Sequence, residues 1–263
     1  MTFGLCSFAS GSSGNCYLVK SDKTAVLVDA GISGKRIFEG LEQTETPREM
    51  LAALLVTHEH SDHTKSIGML AKKEKGLAVY ASSGTWESLP SVCKEQRRAF
   101  QVGERFAVGD IEVQTFGLSH DAADPAGYTF FAGGRQISIV TDTGCINETI
   151  MDAIRDADVL VLEANHDVDM LRIGKYPWFL KQRILSDCGH LSNDTAGRTL
   201  ARLLSEQPKR RQVLLAHLSR ENNFPEMAYQ TIKNILEESA LYIGDQISLE
   251  VLRRNEISPF YNV

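Results

Sequence analysis

Apolar runs that read as strands give way to helically spaced runs, and the order strands, helices, strands, helices recurs roughly twice along the chain. Phe3–Ala9 is apolar, the Ser/Gly run Ser10–Asn15 reads as a turn, and Cys16–Lys20 and Ala25–Asp29 are β-rich. The opening is therefore antiparallel rather than a βαβ unit. Ile32–Leu41 has helical spacing, and Ala53–Thr57 reads as a short buried strand. Thr64–Lys73 places Ile67, Leu70 and Ala71 on one helical face, and Ala78–Ala81 is another strand. The second round opens with Phe106–Val108, Ile111–Leu118, Tyr128–Ala132 and Ile137–Thr141, strands separated by Gly-containing turns. A helix over Ile146–Ile154 and a strand over Val159–Glu163 follow. Residues 166–186 have no clear period, and Pro177 breaks them. Asn193–Ser205 is a helix capped by Ser192 or Asn193, and Val213–His217 is a strand. Pro225–Ser239 is a helix with Pro in its first turn, and Ile247–Leu252 is a last strand.

This order fits an α/β (α+β) fold of two mixed sheets packed face to face, with helices outside, better than a doubly wound parallel sheet. No repeat, low-complexity tract or Pro/Gly-rich linker divides the chain, so residues 1–263 are expected to form one domain.

Composition narrows the function classes. With 43% hydrophobic residues the 263-residue chain can bury a sizeable core. Its net charge of −6 makes it a poor non-specific nucleic-acid binder, so contact with DNA or RNA needs a local basic patch or bound metal. The five cysteines are scattered and form no C-x-x-C pair, which argues against a disulfide framework and a structural zinc knuckle. Most of them read as small buried hydrophobes. Met1–Cys6 lacks a leader pattern, and no stretch approaches the ~18 apolar residues of a membrane span. A soluble cytoplasmic protein without membrane contact is expected, with its oligomeric state left open.

The chemistry concentrates in His58-Glu59-His60-Ser61-Asp62-His63. Histidine and carboxylate bind divalent ions at mixed nitrogen and oxygen sites. If the strand before the run continues, His58 and His60 share a face and can meet on one ion. After a turn, Asp62 and His63 can aim at a second, and two ions about 3.5–4 Å apart clamp the attacking and leaving oxygens of a displacement. More ligands are needed. His120, Asp142 and His217 each follow an apolar strand, and loops leaving one sheet edge can focus on one point.

This set, H-x-H-x-D-H with a strand-end His, a strand-end Asp and a late His, resembles the metallo-β-lactamase superfamily over nearly the whole chain. The resemblance implies a four-layer αβ/βα sandwich with the site along one edge of the two sheets. It implies that His58, His60 and His120 bind one ion, that Asp62, His63 and His217 bind the other, and that Asp142 bridges them. Asp29, in Val26-Leu27-Val28-Asp29-Ala30-Gly31, resembles the early Asp that supports the site from behind. Phe8–Asn15, Leu162-Glu163-Ala164-Asn165-His166, and Tyr176-Pro177-Trp178 leading to Gly189-His190-Leu191-Ser192 are similar to the YycJ (WalJ) group. True β-lactamases usually place Cys where Asp142 stands. Asp142 and the complete second ligand set point instead to two-metal hydrolases. His190 resembles the extra histidine of ribonuclease Z-like phosphodiesterases, there thought to approach the scissile phosphate or protonate the leaving group. Asp62 and His190 are thus the expected catalytic residues.

Other features bear on substrate. Ser10, Ser12 and Asn15 lie in a Gly/Ser loop that can hold a phosphate or simply form a hairpin turn. His166 is a candidate for substrate contact or for a structural role. Ser219 joins the candidate substrate contacts, and with Asn222 it can also order the site by hydrogen bonds. Arg172–Arg183 interleaves Arg172, Lys175, Lys181 and Arg183 with Tyr176, Trp178 and Phe179, as a single-strand channel requires. The same segment also reads as a solvated helix pair with an aromatic core anchor. Lys209-Arg210-Arg211 reads as an exposed loop.

The expected function is a dinuclear metal phosphodiesterase, using two zinc, manganese or iron ions and a metal-bridging hydroxide. The resemblance implies a 5′-to-3′ exonuclease with DNA, single-stranded or at a 5′ end, as substrate. Hydrolysis of a small cyclic phosphodiester or a thioester is a second expectation. A weakly active regulatory protein of the same fold is a third.

Overall fold

Strands buried on both faces form the centre of the molecule. The computed structural model describes residues 2–89 and 92–263, so Met1, part of the expected leaderless start, lies outside the described residues. In chain order, β1 (Phe3–Ala9), β2 (Cys16–Ser21), β3 (Ala25–Val28), β4 (Leu51–Leu55), β5 (Ala78–Ser82) and β6 (Arg97–Phe100) build one sheet. The second holds β7 (Arg105–Val108), β8 (Ile111–Gly117), β9 (Ala126–Ala132), β10 (Arg135–Val140), β11 (Val159–Glu163), β12 (Arg211–Ala216) and β13 (Ile247–Val251). A short β14 (Tyr261–Asn262) returns to the outer side of β1. Among the described residues each sheet has seven strands.

Each sheet is antiparallel on one side and parallel on the other. Pairing is antiparallel through β1, β2 and β3, then parallel through β4, β5 and β6. In the second sheet β7 to β10 are antiparallel, and β10 to β13 parallel. Helices α1 (Gly34–Gln43), α2 (Ser61–Thr64), α3 (Ile67–Lys73) and α4 (Ser83–Trp86) belong to the first half. Those of the second are α5 (Glu148–Ile154), α6 (Val168–Ile173), α7 (Trp178–Ile184), α8 (Asn193–Glu206) and α9 (Pro225–Glu238).

The period-two alternation of strand side chains divides the apolar residues between layers. Val26, Val28, Ala53 and Leu55 of the first sheet pack with Val159, Val161, Leu214 and Ala216 of the second, forming the core between the sheets. Their neighbours Leu27 and Leu54 face α1 and α3, where Ile37 and Leu70 cover them. Leu160, Leu162, Val213 and Leu215 face α5, α8 and α9. The result is helices, sheet, sheet, helices, the four-layer sandwich expected. No helix among the described residues is long and apolar enough to cross a membrane.

Several local expectations are corrected. The strand expected over Ala53–Thr57 is Leu51–Leu55, because the Asp29 carboxylate, not a neighbouring strand, takes the Thr57 N–H at 2.9 Å. The single helix expected over Thr64–Lys73 is two, α2 and α3. Ser66 between them donates its N–H to the Ala30 carbonyl and its hydroxyl to that of Ile32. Helix α1 starts only at Gly34, since Ser33 is its cap. The edge strand β6 escapes the pattern because, of Arg97–Phe100, only Phe100 is buried. Arg211 is not in an exposed loop. It opens β12, is buried, and donates to the carbonyls of Ala157, Arg155 and Gln207. Of the five cysteines, only Cys6 and Cys16 are buried, whereas Cys93 and Cys188 are exposed. The unclear segment 166–186 contains α6 and α7. Trp178 and Phe179 are no core anchor, since they are 66% and 72% exposed.

Candidate metal centre

Six of the seven histidines meet where the carboxyl ends of β3, β4, β10, β11 and β12 converge. The rings of His58, His60, His63, His120, His190 and His217 form one chain of neighbours with centroids 4.1 to 6.0 Å apart. His58 and His60 stand in the loop after β4, so their convergence comes from the turn into α2 rather than from strand alternation. His60 occupies the N-cap position of α2, and Asp62 and His63 lie on that single turn.

The turn is strapped to the strand ends beside it. Ala30 N donates to the His63 carbonyl at 2.7 Å, and Asn15 N to that of Asp62 at 2.8 Å. Gly31 permits this approach, because a Cβ there would fall 1.5 Å from the Asp62 carbonyl oxygen. Three strand-end residues, Asp29, Asp142 and His217, have left-handed backbones with φ of 61°, 60° and 54°. Such conformations are uncommon outside glycine and persist where surrounding contacts enforce them. At His217 the contacts are visible: its N–H donates to Ser10 Oγ at 2.9 Å, and its carbonyl accepts from the Asn165 amide at 2.9 Å.

Among the described residues, ligand-type atoms form four overlapping groups; two have the membership that the resemblance implies, and two others, His58-His63-Asp142 and Asp142-Glu163-His190-His217, cross between them. His58, His60 and His120 form one group within mutual reach of a single ion, and Asp62, His63 and His217 form another. Asp142 lies between them, with Oδ2 3.3 Å from His63 Nε2 and Oδ1 3.9 Å from His120 Nε2. Three histidines are held from behind so that Nε2 faces inward. His63 Nδ1 donates to Asp29 at 2.7 Å, His120 Nδ1 to the Gly189 carbonyl at 3.1 Å, and His217 Nδ1 to Glu163 at 2.8 Å. Such back-bonding sets the tautomer of metal-binding histidines. His217 Nε2 and Asp142 Oδ2 are buried without a hydrogen-bond partner. A buried orphan pair of this kind is costly unless a cation completes it, so the residues present fit a metal site.

Electrostatics agree. Burial pushes the His63 and His217 imidazoliums down, but surrounding carboxylates reverse this. Asp29 leads in holding His63 well above its usual range, and Asp142 leads in raising His217 to about 10. Burial opposes ionisation of Asp62 as well, yet the His217 and His63 rings, 3.8 and 3.6 Å from its Oδ2, keep it far below the usual carboxylate range. His58 moves the other way, held down by burial and by the neighbouring histidines. Without ions, the carboxylates draw protons onto these rings, and divalent ions would take their place.

Glu163 ends the apolar strand β11 and is a site residue that the strand-end rule could have found but did not. Its Oε1 accepts from Nδ1 of both His190 and His217 at 2.8 Å, and Oε2 accepts from Thr143 N and Leu191 N. Burial alone would raise its carboxyl, but His190 and His217 hold it well below the usual range. Thr57 is a second missed residue. Its hydroxyl donates to Asp29 and lies 3.0 and 3.2 Å from Nδ1 of His58 and His63.

The other candidates fall at different depths. His190 has 22% of its side chain exposed and lines a cleft of about 190 Å³ with Ser12, Asn165, Tyr176, Arg183 and Ser219. Ser10 is buried and bonded to Tyr17 and to His217 N. Asn15 is buried, accepts from Gly11 N, and sets its amide 3.1 Å from His63 Nε2. His166 is buried beside Ser192, with both ring nitrogens unpartnered. Burial lowers it to about 4. Asp121, next to His120, pairs with Arg183 across the mouth of the cleft.

Comparison with known proteins agrees with this geometry. Residues 24–218 match the family described as Beta-lactamase superfamily domain. The chain is 42% identical over 245 residues to exodeoxyribonuclease YycJ of Bacillus anthracis, covering 92% of each chain. It is also 42% identical over 242 residues to exodeoxyribonuclease WalJ of Streptococcus pneumoniae, covering 90% of this chain and 89% of that one. Among solved structures, Zn(2+)-bound PqqB from Methylobacterium extorquens shares the fold, with a TM-score of 0.71 at 16% identity over 97% of this chain and 99% of that one. The chain therefore belongs to the metallo-β-lactamase superfamily, as a hydrolase that carries the superfamily's metal-site residues.

Proposed function

We propose that the chain is a dinuclear metal-dependent phosphodiesterase acting on DNA as a 5′-to-3′ exonuclease. The observation that carries this reading is His190, a partly exposed histidine at the cleft wall, 3.6 Å from Asp142 and oriented by buried Glu163. The likeness to proteins named exodeoxyribonuclease supports DNA as the substrate.

Two divalent ions held by His58, His60, Asp62, His63, His120, Asp142 and His217 would acidify a water at neutral pH and neutralise phosphate charge. The chain's own groups do the rest. Burial pushes the His190 imidazolium down, but Glu163 more than compensates, so the ring is held above its usual range. With Nδ1–H given to Glu163, Nε2–H is the proton available to the departing oxygen. Ser12 and Ser219 line the same cleft and would hold the substrate there.

The cleft of about 190 Å³ suits a chain end rather than an internal stretch of duplex. It equally suits a small cyclic phosphodiester, the second reading. Freshly purified protein loaded with zinc or manganese should be given 5′-labelled oligonucleotides, bis-(p-nitrophenyl) phosphate and a 2′,3′-cyclic nucleotide. Release of mononucleotides from the 5′ end supports the exonuclease. Turnover of the cyclic nucleotide with intact oligonucleotide would replace it by the second reading.

A further inference from the structure

A second cavity, of about 380 Å³, shares Ser219 with the catalytic cleft and is lined by Ser10, Arg220, Phe224, Arg253 and Arg254. Its cations are unequal. Arg253 is exposed and pairs with Glu256 at 3.3 Å. Arg254 is half-buried and, among the described residues, neither it nor Arg220 makes an ion pair. Arg254 Nη2 donates to the Leu218 carbonyl, and Nη1 to Ser12 Oγ at 3.1 Å. The guanidinium lies flat against the Gly/Ser loop, since a Cβ on Gly11 would meet Nη1 at 2.8 Å and Cζ at 3.1 Å. Burial and the neighbouring charge of Arg220 both push Arg254 down from its ordinary range.

Glu226 and Glu256 also line the cavity, but among the described residues neither forms an ion pair with Arg220 or Arg254, so the two guanidiniums repel each other, and an anion between them relieves that. Guanidinium offers five N–H donors, and the two neutral contacts leave donors free for a bidentate phosphate. Ser12 and Ser219 join the cavity to the cleft that holds His190. We propose that Arg254 and Arg220, with Ser12, form a subsite for a backbone phosphodiester of the substrate strand next to the scissile one. The subsite rests on the nuclease reading above. It supplies the local positive charge that an acidic chain needs in order to hold DNA.

The test uses the metal-loaded full chain and a 5′-phosphorylated oligonucleotide, with bis-(p-nitrophenyl) phosphate as a diester too small to reach the subsite. Arg254→Met and Arg220→Ala should each raise KM for the oligonucleotide about ten-fold and cut the slope of log K against log salt by about one. The ratio of oligonucleotide to small-diester efficiency should fall, and Arg254→Lys should restore the salt slope in part. Arg220 makes no internal hydrogen bond among the described residues, so its variant tests the subsite even if Arg254→Met misfolds. Wild-type KM and slope in both variants, with oligonucleotide cleavage intact, would overturn the subsite alone. Equal losses on both substrates would overturn it too, by showing that Arg254 acts through Leu218 on His217. A wild-type enzyme that cleaves the small diester and leaves DNA intact would overturn the nuclease reading itself.

Discussion

Glu163 Oε1 lies 2.8 Å from His190 Nδ1, so a fully buried carboxylate sets the tautomer of the histidine at the cleft wall. The same oxygen accepts from His217, which ties a proposed metal ligand and the proposed proton donor to one anchor. Glu163→Gln keeps the shape but must turn its amide NH2 towards two of its four donors. Metal affinity should fall about 10–100-fold, as for other groups that back-bond a metal-binding histidine, and kcat should fall with it. Wild-type metal affinity and kcat in this variant would remove the anchoring role.

His190→Ala should keep both ions and lose turnover by about 10²–10⁴, the usual contribution of a positioned general acid. Metal analysis and kcat on the same preparation check this. A kcat equal to wild type would end the leaving-group assignment.

Asp142 reaches towards both ligand groups, standing 3.3 Å from His63 Nε2 and 3.9 Å from His120 Nε2. Asp142→Ala should therefore lose both ions or bind them weakly, as read by elemental analysis after dialysis. Two tightly retained ions would refute the bridging position.

Removing metal should expose a pH dependence. His217, raised to about 10 in the metal-free chain, contributes stability that is fully present below its unfolded value of ~6.5. That stability is lost as pH rises through about 10. The metal-free protein should thus lose Tm between pH 7 and pH 10, whereas the loaded protein, with ions in place of protons, should change less. Parallel Tm curves with and without chelator would contradict this account.

Arg211 donates to the carbonyls of Ala157, Arg155 and Gln207 at 2.9–3.0 Å. Arg211→Met fills similar space but leaves buried acceptors unmatched. A loss of about 2 kcal/mol in denaturant unfolding is expected, within the usual cost of an unsatisfied buried polar group. Stability unchanged within error would mean that water or neighbouring donors replace the guanidinium.

Much of the fold was legible because the buried strands are apolar on both faces, as Val159–Leu162 and Val213–Ala216 are. Where burial is one-sided or short, the pattern fails. Arg97–Phe100 carries one buried residue of four, and the break at Ser66 depends on carbonyls of Ala30 and Ile32 that only the folded chain brings near. The candidate ligands were legible by type and spacing, since four lie within six residues and three more follow apolar strands. Glu163 and Thr57 were overlooked because what they do depends on partners far along the chain. Glu163 meets His190 and His217 across 27 and 54 residues.

The sequence alone thus determined which groups are available to bind metal and the order in which strands and helices follow one another. Both are local properties, of side-chain chemistry and of periodicity. Tertiary structure alone decided which nitrogen of each histidine faces inward, which carboxylate stands between the two ligand groups, and that Arg254 lies beside Ser12. Orientation is set by hydrogen bonds between strand ends distant in sequence, and those ends meet only once the two sheets have packed.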